Sequence, residues 1–167
     1  MAATIEICES NLVTETVTHN ITNSNMGNTD AANLNPVTYP ITPGNRTYIK
    51  YQRVHVTAMG GSSKIDAIKI WRTGALGGAA THVTNSRSSG YVGALAYATP
   101  VTTSVTDVTQ TMATTNPGAT NLGIAGSLTG SLLATGYSDY LGHQIITNIA
   151  DTAGSTSTLS FQYDETA

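Results

Sequence analysis

Thr47-Tyr-Ile-Lys-Tyr-Gln-Arg-Val-His-Val-Thr-Ala58 is followed by Met59, by Gly60-Gly61-Ser62-Ser63, and then by Lys64-Ile-Asp-Ala-Ile-Lys-Ile-Trp-Arg72. Both arms are rich in β-branched and aromatic residues, the types that fit a pleated surface. The Gly-Gly-Ser-Ser break makes the segment read as a hairpin with a short connection. On the first arm Ile49, Tyr51, Arg53 and His55 share one face, and Val54, Val56 and Ala58 share the other. On the second, Ile68 and Ile70 face opposite to Ile65 and Trp71. Apolar residues on both faces predict either a strand covered on both sides or a bulge that changes the phase. Trp71 ends an Ile-rich strand and reads as a core anchor.

Working outward, strands are expected wherever turn residues release the chain. Residues 4–8 alternate Ile5 and Ile7 with Thr4 and Glu6, and residues 12–21 carry Val13, Val17 and Ile21 on one parity. Residues 23–35 are a polar loop, and Thr42-Pro43-Gly44-Asn45 is a turn. Further strands are expected at 81–84, 91–99, 101–112 and 137–149, and at 157–163, where Leu159, Phe161 and Tyr163 face inward. Residues 121–133 fit either a short strand or an irregular crossover. No window repeats apolar residues at helical spacing among good helix formers. Eight to ten short antiparallel strands predict an all-β, single-domain β-sandwich or jelly roll over 1–167.

Composition narrows the function classes. Charged residues make up 10% of the chain, apolar residues 40%, and the net charge is −3. Thr alone accounts for roughly a sixth. There is no basic stripe, so direct binding of nucleic acid is not expected. No run approaches the roughly 18 apolar residues that span a bilayer, so no membrane partner is expected. A Thr-, Ser-, Gly- and Asn-rich surface suits a protein that works outside cells. The opening Met1-Ala-Ala-Thr-Ile-Glu-Ile-Cys-Glu9 nevertheless has neither the basic segment nor the apolar run of an export signal. A particle released by lysis reconciles the two. Cys8 is the single cysteine, which excludes an intrachain disulfide and a multi-Cys zinc site; it reads as a small buried apolar residue.

Motifs for chemistry are sparse. His19, His55, His82 and His143 form no His-x-His or His-x-x-x-His pair, so neither a metal site nor a cofactor is expected. Asp66 and Asp139 are the first candidates for a glycosidase dyad, yet nothing in the sequence pairs them. The loop from Asn23 to Asp30 offers oxygens near Gly27 but lacks the carboxylates of a calcium loop. No nucleophile elbow, dinucleotide fingerprint or phosphate loop occurs, and no catalytic residue is assigned.

Residues 40–60, the segment 65–71, the opening 11–35 and the closing Leu159-Ser-Phe-Gln-Tyr-Asp-Glu-Thr166 together resemble small β-sandwich structural proteins of tailed bacteriophages. The shared pattern is a polar turn, an aromatic strand, a Gly-rich hairpin and a strand ending in Trp. The resemblance implies a capsid decoration (cement) protein of the virion. Such a protein binds major capsid subunits, stabilises the head and forms symmetric oligomers. It transfers no functional residue. Residues 1–20 read either as an ordinary first strand or as an extended arm that adds a strand to a neighbour. Interface candidates are Ile5, Ile7 and Val13 on that segment, with Leu76, Arg87 and Tyr91 in loops. The alternative is a tail or receptor-facing component whose 74–80 and 87–91 loops meet host glycans. An enzyme is the least favoured reading.

Overall fold

Residues 50–58 form a strand as the sequence predicts, but that strand does not pair with the next one. The computed structural model describes residues 2–88, 90–93, 110–152 and 154–167. Among them are β1 (Thr4–Asn11), β2 (Thr16–Thr18), β3 (Lys50–Ala58), β4 (Lys64–Thr73), β5 (Thr81–Arg87), β6 (Gln110–Thr111), β7 (Ser131–Leu132), β8 (Gly136–Tyr137), β9 (Tyr140–Ile146) and β10 (Thr158–Thr166). The larger sheet runs β2-β1-β3-β9-β5-β6, with β8 also on β3; the smaller runs β10-β4-β7. All pairings are antiparallel. The fold is all-β and consistent with a sandwich, and among the described residues no helix is long and apolar enough to cross a membrane.

The expected β3–β4 hairpin is therefore corrected. The turn at Met59–Ser62, closed by Ser62 N–H donating to Met59 O at 2.9 Å, carries the chain from one sheet to the other. Gly60 supplies the left-handed backbone that this crossing uses, at φ 60°. The reason lies in the buried faces. Val54 of β3 packs in one cluster with Ile68 and Ile70 of β4, Leu141 of β9, and Met112, Leu122 and Ile124. Two strands that both need their apolar face covered satisfy each other across a sandwich, not side by side. Each such buried Ile or Val contributes roughly 1.5–3 kcal/mol over its exposed state.

Both explanations for apolar residues on two faces hold, one in each strand. In β3 the second face is also covered: Ile49, Tyr51 and Tyr140 form an outer cluster with Val83, Tyr91 and Val92 against it. In β4 the phase changes. Ala67 takes φ 51°, and the pairing with β10 shifts register between Gln162 and Asp164, so Ile65, Ile68 and Ile70 are all buried. Trp71 then falls on the opposite parity and is half-buried, outside the core it was expected to anchor. The exposed edge of β4 near Ile70 is closed by a side chain. Asn121 accepts from Ile70 N–H and donates to Ile70 O, both at 2.8 Å, imitating a strand.

Residues 4–11 lie inside the larger sheet, between β2 and β3, so this part of the segment offered as an arm is an ordinary strand. Of the strand expected over residues 12–21 only β2 forms, because residues 12–15 make the turn back from β1 and Leu12 adopts φ 70°. The strands expected at 91–99 and 101–112 fall mostly outside the described residues.

Candidate functional site

On β1, Glu6 and Cys8 are two residues apart and so project from the same face of the strand. It is the outer face, since Ile5 and Ile7 pack on the core between the sheets. The antiparallel register sets Glu6 opposite His55 and Cys8 opposite Arg53. On the other side Glu9 pairs with Thr18, which brings His19, the first residue after β2, alongside Cys8. Three neighbouring strands thus deliver four donors to one spot. The Glu6 carboxylate accepts from Nδ1 of His19 and Nδ1 of His55, each at 2.7 Å. The Cys8 thiol lies 3.3 Å from His19 Nδ1 and 3.5 Å from Glu6 Oε1. One ligand atom from each of the four lies within 4.8 Å of the others.

The surroundings fix the rings and tune the charges. His55 stacks on Tyr137 with centroids 3.9 Å apart and planes 7° from parallel. The Arg53 guanidinium sits 4.2 Å over the Tyr137 ring and 4.3 Å over that of Tyr140. Hydrogen bonds from His19 and then His55 hold the Glu6 carboxyl below the usual carboxylate range. Burial, reinforced by the Glu6 charge, pushes the Cys8 thiol up to about 11. Cys8 is 1% exposed, whereas the His19 side chain is 50% exposed. The cluster is therefore closed below and open to solvent on the His19 side.

A second feature lies between the sheets. The sandwich parts into a cleft of about 670 Å³ lined by Ile7, Arg72, His82, His143, Leu159 and Phe161, among others. His82 Nε2 and His143 Nδ1 are 2.9 Å apart. Burial, and then the Arg72 charge, brings His82 down to about 4; burial, then His82 and Lys50, holds His143 well below its ordinary value. Beside them Lys50 Nζ meets Glu9 Oε1 at 2.5 Å with both side chains buried, and Gln52 donates to Glu9 Oε2 at 2.8 Å.

The residues singled out in the sequence scatter over these features. Ile5 and Ile7 are half-buried against the core, and Ile7 also lines the cleft, as does Leu76. Val13 is 83% exposed on the β1–β2 turn. Tyr91 joins that turn by donating from its hydroxyl to Leu12 O at 2.6 Å, while Arg87 Nε donates to Gly90 O at 2.6 Å. Asp66 and Asp139 have separate partners: Asp66 pairs with Lys64 at 2.7 Å, and Asp139 accepts from Gly126 N–H at 3.1 Å. Asp30, in the candidate calcium loop, accepts from Asn11 and from Leu12 N–H and so caps the β1–β2 turn. The donor cluster at Glu6, Cys8, His19 and His55 was missed. Its one local signal is Glu6-x-Cys8 at strand spacing; the histidines arrive through pairing that no local motif encodes. No protein family, curated protein or solved structure matches this chain.

Proposed function

We propose that the chain is a structural protein of a virus particle that decorates the capsid by binding major capsid subunits. One observation carries the reading. Large apolar side chains stand in solvent on the loops that follow β1, precede β3 and follow β9: Leu12, Val13, Val37, Tyr39 and Ile149, with Val37 87% and Ile149 85% exposed. Large apolar side chains left this exposed on loops are the surface that a bound partner would cover. With 10% of the chain charged, few side chains need desolvation when a partner closes over such a surface. Symmetric self-association at capsid junctions accords with the same surface. The protein works by mass action, because a partner that binds the assembled shell alone shifts the equilibrium toward it.

The cleft favours a second reading, a tail or receptor-facing component, since its lining includes Leu76 and Gly77 of the loop expected to meet glycans. The test is to strip the protein from purified capsids and heat them. Decoration predicts that stripped shells melt at lower temperature and recover on adding the protein back. Unchanged shell melting, together with glycan binding by the isolated protein, would transfer the reading to the second.

A further inference from the structure

We propose that Glu6, Cys8, His19 and His55 bind one divalent transition-metal ion of the zinc type. The inference is independent of the virion reading and holds for any role of the chain.

The donor chemistry is selective. One thiolate, two imidazoles and one carboxylate make a set that zinc takes readily and that calcium and magnesium, which favour oxygen, do not. The spacing fits as well. Bonds of about 2.0–2.3 Å in a tetrahedron separate neighbouring ligand atoms by roughly 3.3–3.7 Å. Cys8 Sγ already stands 3.3 Å from His19 Nδ1 and 3.5 Å from Glu6 Oε1. The two histidine nitrogens sit 2.7 Å from Glu6 Oε1, a hydrogen-bonded approach. A turn of the Glu6 carboxylate by somewhat under 1 Å opens these edges to the tetrahedral range.

The backbone needs no rearrangement, because all four residues lie on or next to strands already held in register. His55 is oriented by its stack on Tyr137, and the half-exposed His19 provides the entry path. Charge balances too. A dication with one thiolate and one carboxylate is neutral, which suits a half-buried position. On binding, Cys8 gives its thiol proton to solvent, Glu6 enters ionised, and each imidazole loses the Nδ1 proton it shared with Glu6 and carries its single proton on Nε2, by exchange through solvent, while Nδ1 binds. Four protein donors fill a tetrahedron and leave no position for a reacting water, so the site is structural. It would clamp the β2 end and β3 to β1.

The test uses the full chain without a histidine tag, stripped by chelator. Zn²⁺ should bind at one equivalent and raise the melting temperature. Co²⁺ should give tetrahedral visible bands with a thiolate charge-transfer band in the near ultraviolet. Cys8→Ser should remove the charge-transfer band, and His19→Ala, an exposed position that the fold tolerates, should weaken Zn²⁺ at least tenfold. The proposal is overturned if the stripped protein takes up less than one equivalent. Equal Zn²⁺ affinity in His19→Ala and the parent would overturn it as well, leaving a hydrogen-bonded cluster only.

Discussion

His82 on β5 and His143 on β9 face each other inside the sandwich with their ring nitrogens 2.9 Å apart, and both residues are buried. A pair held in this way is neutral at pH 7, one ring donating to the other. Their folded values lie below the unfolded value near 6.5, so the unfolded chain takes up protons that the folded one refuses. Stability is then fully present above about pH 6.5 and declines as pH falls toward about 4, where His82 titrates in the fold. His82 alone accounts for on the order of 3 kcal/mol across that window. Urea midpoints measured at pH 7.5, 5.5 and 4.5 should fall in that order. The decline should flatten in His143→Gln; an equal slope in parent and variant would remove the pair as its cause.

Lys50 and Glu9 are buried charges on the same inner face, with Gln52, Asn11 and the Ala31 carbonyl completing their hydrogen bonds. Lys50→Met leaves a buried carboxylate without its cation and should cost roughly 3–5 kcal/mol. Changing Glu9 to Gln in the same chain should return part of that loss. Denaturant titration of the two variants reads the coupling, and additive losses would contradict it.

The core and the proposed docking loops separate by substitution. Ile70→Ala removes a side chain that is 0% exposed and should cost about 2–5 kcal/mol. Val37→Ser touches an exposed loop and should leave stability within about 0.5 kcal/mol of the parent. If the apolar loops dock on capsid subunits, Val37→Ser and Ile149→Ser together should weaken capsid binding while the melting curve stays in place. Co-sedimentation with stripped capsids measures this.

Gly27 sits where a methyl group would meet the Tyr39 carbonyl at 2.5 Å. That carbonyl also accepts from Asn28 N–H, so it has little room to retreat. Gly27→Ala should loosen the 22–40 loops and lower the melting temperature. Faster amide exchange at Tyr48, whose N–H donates to Gly27 O, should accompany it.

How much of this was legible follows from which interactions are local. In β10 the pattern Leu159, Phe161, Tyr163 named its buried face correctly, because alternation along one strand is a property of that strand. The all-β class was legible for the same reason. Sheet membership was not. The Gly60-Gly61-Ser62-Ser63 break fixes where the chain turns but not whether it returns to the same sheet or crosses to the other. The phase change at Ala67 was open as one of two explanations, and only its φ decided it. The Glu6–Cys8–His19–His55 cluster stayed hidden because its members lie 2, 11 and 36 positions apart along the chain and meet through strand register.

β1 shows two unlike faces: isoleucines at 5 and 7 toward the core, a carboxylate and a thiol at 6 and 8 away from it. A slip of one residue would exchange them, sending Glu6 and Cys8 into hydrocarbon and two isoleucines into water. The strand therefore carries its own proofreading, with misalignment penalised on both surfaces at once. It also carries a reporter. A thiol that is 1% exposed in the correct alignment becomes open to alkylating reagents whenever the strand is out of place. The rate at which Cys8 is labelled during refolding would thus time the moment when the first strand locks.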